Sequence, residues 1–578
     1  MDAKPWLSYY DPWVPPTLAP YPDTTLADIV AKTAHDDPQH TALIFKGRRI
    51  SYALLDRLSN AFAAALIEQG VVKGERVALL LPNCPQAFIA LLGAWKAGAI
   101  VNPINPLYTD RELEIALHET TPRAVVVLTR FYPRLKALQA ATGVRTIIAT
   151  NIKEYLPWRL RLAFTLAKEK KEGHRIHLAP GDLWLADLLR RHAGMPRPAV
   201  PVGPADPAVL LFTGGTTGAP KAALGSHRAL AITGAQLYAW FSGVVQAGDV
   251  ILCNMPIFHV FGLVGIGATA FVARLTIAVV PDPRDLDDVL TTVEKEHVAF
   301  LPGVPTLFNA LLTHPRVVSG QANLRSVKLC CCGAAPLLVD TKRRFEALTG
   351  GHIIEGYGAT ETMQASIITP IQGLNKPGST GLPLPDMLVK IVDADDDTRP
   401  LPPGATGEIL VQAPNLMTAY WQHPEETEAT LHDGWLRTGD LGYLDQDGFL
   451  FVVDRKKDVI KPSGFQVWPR EVEEVIASHP GVAEVGVAGV PDPRSGEAVK
   501  AWVVLKPGIS LSAAELVAYC HARLAGYKVP HHVEFVDSLP KSQVGKVLRR
   551  ELVAREKERA VAAPGLDPQG LAPAGPSA

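Results

Sequence analysis

Phe212-Thr213-Gly214-Gly215-Thr216-Thr217-Gly218-Ala219-Pro220-Lys221 is the stretch on which the reading of this chain turns. It follows Ala208-Val209-Leu210-Leu211, a short apolar run that reads as a buried strand entering a loop. Three glycines permit positive φ and leave backbone N–H groups uncovered. Three threonine hydroxyls and one lysine stand among them. Amides and hydroxyls in such a loop hydrogen-bond polyphosphate oxygens, and Lys221 offsets charge. The bland alternative is a flexible turn. The loop is not a Walker A loop, which needs Gly directly before Lys and Ser or Thr after it. Here Pro220 precedes Lys221 and Ala222 follows.

Working outward, 578 residues exceed one ordinary core and predict two or more domains. Apolar content of 47% with 20% charged residues fits a folded, soluble protein. With 57 basic against 58 acidic residues, no global charge favours nucleic acid, and none is expected as a partner. Cys84, Cys253, Cys330, Cys331, Cys332 and Cys520 form no C-x-x-C pair and read as small apolar core residues, reduced in a cytosolic protein. The N-terminus lacks the apolar region of a signal peptide. Val260–Ala273, an apolar run free of charge and histidine, is too short to span a bilayer.

Residues 1 to about 25, with Trp6, Tyr9, Tyr10 and Trp13, predict an extended arm draped on the surface. Thr41–Phe45 and Arg49–Tyr52 around Lys46-Gly47-Arg48 predict a hairpin. Helical spacing over Leu54–Gln69, Ala87–Lys96 and Arg111–His118 alternates with apolar runs at Val77–Leu81, Ile100–Ile104, Ala124–Leu128 and Thr146–Ala149. That alternation predicts an α/β domain with a largely parallel sheet covered on both faces. Lys390–Asp393 and Gly407–Gln412 predict strands of a smaller β region. Beyond the charged run Asp454-Arg455-Lys456-Lys457-Asp458, a helix at Pro469–Ser478, strands at Val482–Val487 and Ala498–Leu505 and a helix at Ser512–Leu524 predict a compact α+β unit. The Ala/Pro/Gly-rich end reads as disordered. The boundaries adopted are 1–454, 455–558 and a tail at 559–578.

Residues 151–176 break the alternation. Trp158, Leu162 and Leu166 recur at i, i+4 and i+8, among Arg159, Arg161, Lys168, Lys170, Lys171 and Arg175. Such a basic amphipathic helix with a tryptophan can lie in a membrane interface. The alternative is a surface helix that packs its apolar face on its own domain.

Five features then appear in one order: the loop at 213–221, an aromatic glycine turn at Glu355–Glu361, Asp440, Arg455 and Lys546. Together they suit one ATP-consuming site. Tyr357 suits stacking on adenine beside Gly333-Ala334. Asp440 suits both ribose hydroxyls. Glu361 and Thr213 suit Mg²⁺ on the phosphates, as hard oxygen ligands. Lys546 suits charge stabilisation as a carboxylate attacks the α-phosphate.

Order, spacing and identity of these motifs resemble the acyl-CoA synthetase branch of the adenylate-forming (AMP-binding) superfamily over almost the whole chain. The resemblance implies acyl-AMP and pyrophosphate formation from a carboxylic acid and ATP, then displacement of AMP by a thiol, usually coenzyme A. It implies a large N-terminal domain of mixed, largely parallel sheets and a small, mobile α+β C-terminal domain. It implies an ATP site of Thr213, Gly214, Gly215, Thr216, Thr217, Gly218, Lys221, Gly333, Ala334, Glu355, Gly356, Tyr357, Gly358, Thr360, Asp440 and Arg455. Lys461 and Gln466 match polar positions that some relatives use around AMP. Lys546, Lys221, Glu361 and His259 match catalytic positions, His259 near the acyl pocket. Lys457 falls at the hinge, and Ser463-Gly464 in the loop bordering the pantetheine tunnel.

Within the branch, the aromatic arm, the 151–176 insert and Pro469-Arg470-Glu471-Val472-Glu473-Glu474 most resemble bacterial long-chain fatty-acyl-CoA ligases. Thr362-Met363-Gln364 and Lys461-Pro462 depart from that pattern, which bears on chain length and not on the half-reactions. The expected function is ATP-dependent ligation of a long-chain fatty acid to coenzyme A. Its competitors are an acyl-AMP ligase that loads a carrier protein, a medium-chain or aromatic acid–CoA ligase, and a nucleotide-binding scaffold without catalysis. A serine hydrolase would need G-x-S-x-G and a zinc protease H-E-x-x-H; neither occurs. The expected location is cytoplasmic, with peripheral contact at the inner face of a membrane through 151–176; an oligomer is left open.

Overall fold

Apolar runs of four to six residues, rich in Val, Ile and Leu, make buried parallel strands here, as their lack of polar alternation requires. A computed structural model describes residues 4–213, 221–335, 337–394, 396–462, 467–492, 494–542 and 546–562. The chain divides into two units. Met1–Ala405, Ile409–Thr438 and Tyr443–Phe451 form the first; Thr406–Glu408, Gly439–Gly442 and Val452–Ala578 form the second.

Two large sheets build the first unit. One has nine strands, in the order Leu382–Pro383, Gln364–Ile368, His352–Ala359, Leu329–Cys332, Val298–Gly303, Val250–Cys253, Thr276–Val279, Thr41–Phe45 and Arg48–Ser51. Its six inner strands, from His352–Ala359 to Thr41–Phe45, are parallel, and antiparallel pairs close both edges. The other has eight, in the order Ala419–Tyr420, Ala222–Ser226, Pro207–Phe212, Ile100–Pro103, Arg76–Leu80, Ala124–Leu128, Thr146–Thr150 and Leu183–Trp184. The α/β expectation therefore holds. The covering helices begin where the sequence supplies caps. Ser51 accepts from Leu54 N–H ahead of Tyr52–Glu68, and Thr109 with Glu112 forms a capping box ahead of Asp110–Thr120.

The smaller β region is a five-stranded sheet of Leu388–Val392, Gly407–Gln412, Trp435–Leu444 and Leu431–His432, with Leu450–Arg455 on Trp435–Leu444. In the second unit Val482–Asp492, Gly496–Leu505 and His532–Phe535 form a three-stranded sheet, beside helices Pro469–Ala477, Ala513–His521 and Arg549–Ala562.

Three expectations are corrected. The Thr41–Phe45 hairpin turns on two residues, with Arg48 already paired to Phe45; Lys46 and Gly47 both take positive φ, 51° and 86°, as a tight turn of that hand requires. The N-terminal arm is anchored in the first unit's core and does not merely drape over it. Trp6 is buried, Asp11 accepts from the N–H groups of Ile371 and Gln372, and Trp13 Nε1 donates to Trp240 O. The tail expected from 559 starts in order, because helix Arg549–Ala562 runs into it; residues 563–578 lie outside the described residues. All six cysteines are buried and unpaired, and burial pushes the Cys331 thiol up to about 12.

Candidate active site

The glycine-rich stretch closes a β-hairpin. Phe212 pairs with Ala222 across antiparallel strands, and Thr213 N–H donates to Lys221 O at 2.8 Å. A Walker loop runs from a strand into a helix, so the geometry agrees with the residues in setting that class aside. Gly214, Gly215, Thr216, Thr217 and Gly218 lie outside the described residues. Thr213 and Lys221, at the loop's base, are half-buried.

The base of this hairpin carries a residue that no sequence motif marks. Strand Ala419–Tyr420 pairs with Ala222–Ser226, Tyr420 opposite Ala223, and Trp421 N–H donates to Ala222 O at 2.8 Å. That register sets Tyr420 beside Lys221, whose ammonium lies 5.5 Å from the ring centroid. The Tyr420 hydroxyl donates to Glu361 Oε1 at 2.8 Å. Burial, then the charge of Glu361, holds the phenol well above its ordinary range, so it stays a donor. Lys221 Nζ also reaches Glu426 Oε1 at 3.2 Å. Tyr420 thus joins the two residues expected to handle phosphate and metal.

Glu361 sits just beyond strand His352–Ala359, in a turn held by buried Thr362. The Thr362 hydroxyl donates within the turn to Gln364 O at 2.6 Å and accepts from Ala359 N–H at 2.9 Å. Asn415 Nδ2 donates to Thr233 Oγ1 beneath it at 2.8 Å. The turn is tight: Met363 and Gln364 have φ of 51° and 121°. A Cβ on Gly358 would stand 2.0 Å from Gln364 O, so glycine is required there. Upstream, Cys332 pairs with Glu355 on parallel strands. This sets Gly333-Ala334, just past the end of Leu329–Cys332, beside Glu355-Gly356-Tyr357 within the neighbouring strand. Leu337 N–H donates to Glu355 Oε2 at 3.2 Å, tying the two segments together. Tyr357 is half-buried and Ala334 exposed, with φ 68°.

His259 follows strand Val250–Cys253. Buried Asn83 fixes the connection, donating to the carbonyls of Cys253 and Met255 and accepting from Ile257 N–H at 3.0 Å. His259 Nδ1 accepts from Phe261 N–H at 3.2 Å, which assigns the ring proton to Nε2. Burial lowers this imidazole to about 4, so at neutral pH it acts as a neutral hydrogen-bonding group. The next turns, Phe261–Ala268, are π-helical and wholly buried. Gly262 belongs to their packing, since a Cβ there would stand 2.1 Å from Pro256 O. The carboxamide of Gln364 lies against Gly265 of this segment, 2.7 Å from where a Cβ would stand.

In the second unit Asp440, Arg455, Lys457 and Lys546 form one electrostatic cluster. Asp440 is buried, and Arg455 Nε stands 3.2 Å from its Oδ1. Desolvation by surrounding protein, with repulsion from Arg455 and Arg549, pushes the Lys546 amine down to about 8, while Asp440 counteracts. Lys546 nonetheless keeps an exposed surface. Lys457 is lowered by desolvation and by Arg455. Lys461 is exposed, its N–H bonded to Glu497 Oε2 at 2.7 Å. Ser463, Gly464 and Gln466 lie outside the described residues.

Beside this cluster is a second node that sequence reasoning missed. Arg549 donates to both carboxylate oxygens of Glu473, at 3.1 and 2.7 Å, and to Asp454 Oδ1 at 2.9 Å. It also reaches Asp458 at 3.2 Å. Asp454 in turn accepts from the N–H groups of Arg455 and Arg470. The Pro469–Glu474 stretch therefore has a structural reason: Glu473 and Arg470 fix the strand that carries Arg455. Among the described residues no group of three or more His, Cys, Asp or Glu side chains could hold a metal ion.

The family model of the AMP-binding enzyme matches residues 30–421, and that of the AMP-binding enzyme C-terminal domain matches 471–546. The chain belongs to the AMP-binding enzyme family. The first match spans Thr213, Lys221, His259, Gly333, Tyr357, Glu361 and Tyr420; the second ends on Lys546. Asp440, Arg455 and Lys457 fall between the two. Among curated family members, the chain is similar to a long-chain-fatty-acid–CoA ligase of Bacillus subtilis, at 38% identity over 96% of this chain and 98% of that protein. A long-chain-fatty-acid–CoA ligase of Escherichia coli is 38% identical over 95% and 98%. Among solved structures, ATP-bound MatB from Rhodopseudomonas palustris superposes with a TM-score of 0.81, at 30% identity, over 93% of this chain and 100% of that one.

Proposed function

We propose that the protein is an acid–thiol ligase that joins a long-chain fatty acid to coenzyme A through an acyl-adenylate, releasing pyrophosphate and AMP. The observation that carries this reading is similarity to long-chain-fatty-acid–CoA ligases over nearly the whole chain. The clustering of Lys221, Tyr420 and Glu361 at the hairpin base supports it.

In this reading Lys221 offsets phosphate charge and Tyr357 stacks on adenine beside Gly333-Ala334. Asp440, oriented by Arg455, accepts the ribose hydroxyls. Lys546 offsets the negative charge that builds on the α-phosphate as the carboxylate attacks. Neutral His259 donates from Nε2 near the acyl group. Glu361 and Thr213 fit Mg²⁺ in donor chemistry, since both offer the oxygen a hard cation takes and Tyr420 already holds the carboxylate in place. Bound there, Mg²⁺ would supply charge compensation for the triphosphate. Lys457 serves as the hinge residue, Ser463-Gly464 border the path of the thiol, and Lys461 and Gln466 line AMP. The domain limits of 1–454 and 455–558 follow the same reading.

The test is ATP- and coenzyme A-dependent AMP formation with acids from acetate to oleate. Specificity should rise with chain length, at about 0.8 kcal/mol per buried methylene. A maximum at acetate or at an aromatic acid would overturn the long-chain reading. Pyrophosphate release with no thioester formed from coenzyme A would favour loading of a carrier protein.

A further inference from the structure

Helix Trp158–Ala167 contains no buried residue. At about 100° per residue, Trp158, Leu162 and Leu166 fall within one narrow arc. They are 70%, 56% and 80% exposed, and Leu160, on the opposite side with Phe164, is still 46% exposed. The apolar stripe thus faces away from the protein, against the expectation of a helix packed on its own domain. The inward side belongs to other residues. The Phe164 ring meets His174 edge-on at 5.4 Å. Just beyond the helix, buried Glu169 pairs with Lys153 at 2.6 Å and accepts from Asn151 at 3.2 Å. Rolling the stripe inward would expose Phe164 and break into this polar set.

Charge surrounds the stripe. Arg159, Arg161, Lys168, Lys170, Lys171 and Arg175 are all exposed. Against these six stand Glu169, already neutralised by Lys153, and Glu172, 3.6 Å from Lys168. The Arg159 guanidinium lies 5.1 Å from the Trp158 ring centroid, an arrangement in which an aliphatic stem follows apolar surface while its charge points away. No helix among the described residues is long and apolar enough to cross a membrane, so this one can meet a bilayer only in its surface plane.

We propose that helix Trp158–Ala167 is an interfacial anchor that docks the protein on an anionic lipid bilayer. Trp158, Leu162 and Leu166 enter the boundary between headgroups and acyl chains, and the flanking cations meet lipid phosphates. Exposed large apolar residues select the bilayer's interior edge, and the net positive charge selects anionic headgroups. A long-chain acid partitions into the same layer, so docking would set the enzyme against its substrate reservoir. That consequence rests on the long-chain reading; the docking itself does not.

The test is sedimentation of the full-length protein with vesicles of phosphatidylcholine alone or of phosphatidylcholine with phosphatidylglycerol. Wild type should bind the anionic vesicles and be released as salt rises. Leu162→Glu with Leu166→Glu should abolish binding. Arg159→Gln and Arg161→Gln should each lower the partition coefficient roughly fivefold, the equivalent of about 1 kcal/mol per basic residue at an anionic surface. Brominated lipids should quench wild-type fluorescence more than that of Trp158→Phe. Wild type remaining in the supernatant, or variants sedimenting like wild type, overturns the proposal. So does concentration-dependent self-association that the Leu162→Glu, Leu166→Glu pair abolishes while no vesicle binding is seen, because the stripe is then a protein interface. Sedimentation needs no turnover, so failed docking leaves the ligase reading intact, and an inactive protein that docks leaves the anchor intact.

Discussion

Tyr420→Phe removes one oxygen and leaves the ring. The ring keeps its packing and its approach to Lys221 at 5.5 Å, so the loss isolates the 2.8 Å hydrogen bond to Glu361. A hydrogen bond to a charged group contributes about 1.5–3 kcal/mol, because its loss leaves the carboxylate short of a donor. Glu361 is half-buried, so water replaces part of the bond and the lower end applies. If Glu361 serves ATP through this orientation, kcat/KM for ATP in acyl-adenylate formation should fall about tenfold, the equivalent of 1.4 kcal/mol. The assay is pyrophosphate release with a soluble acid, with kcat and KM resolved. The double variant Tyr420→Phe, Glu361→Gln should lose little more than Glu361→Gln alone, since the hydroxyl acts through that carboxylate. Additive losses, or a Tyr420→Phe enzyme with wild-type kcat/KM and a lowered melting temperature, would refute the positioning role and make the bond merely structural.

Asp440→Ala should weaken ATP binding by about 1.5–3 kcal/mol, the scale of charge-assisted hydrogen bonds; unchanged affinity in calorimetry removes it from the ribose role. Lys546 is protonated below its lowered value of about 8 and neutral above it, so single-turnover acyl-AMP formation should decline as pH rises through about 8. Lys546→Arg, which stays charged, should move that decline to higher pH; an unmoved decline assigns it to another group. Arg549→Leu strands three carboxylates, buried Asp454 and half-buried Glu473 among them, and should destabilise the second unit by about 3–5 kcal/mol in denaturant titration. Burial raises Glu473 above its ordinary 4.5, so protonation favours the folded form. Arg549 lowers Glu473 in the intact cluster, so its loss raises the carboxyl further; the deficit should be complete above the variant's value and shrink as pH falls from there towards the wild-type value, and a deficit that grows on acidification would sink the account.

The parallel architecture was legible because strands buried on both faces are written in uninterrupted apolar runs, and capped helices separate them. That the loop at 213–221 is not a Walker loop was legible from one negative fact, Pro220 before Lys221. Tyr420 was not legible. It lies in a two-residue strand whose partner is set by a long-range register, and nothing in Ala419-Tyr420-Trp421 names Lys221 or Glu361 as neighbours. The 158–167 helix was legible as amphipathic, but periodicity fixes which residues share a face and not where the face points. Phe164 on the other side, with Glu169 just beyond the helix end, decided that.

Asp454–Asp458 makes the same point about charge. Five ionic side chains in a row read as a solvated linker, because isolated charges stay in water. Asp454 is nevertheless buried: Arg549, 95 positions away in sequence, and two backbone N–H groups satisfy it. A buried carboxylate with three donors is stable where a lone one is not. Its neighbours divide by partner. Arg455 turns to Asp440, Lys456 to Glu408 at 2.9 Å, Asp458 to Arg549, and Lys457 keeps an exposed side chain next to Arg455. The run is therefore pinned on either side of Lys457, the middle residue of the 3-10 helix Lys456–Asp458, where desolvation and then the charge of Arg455 weigh against the ammonium. A hinge needs one such position between fixed points. Lys457→Pro should consequently slow thioester formation more than adenylation in single-turnover assays of each half-reaction. Equal slowing of both would mean that the pivot lies elsewhere.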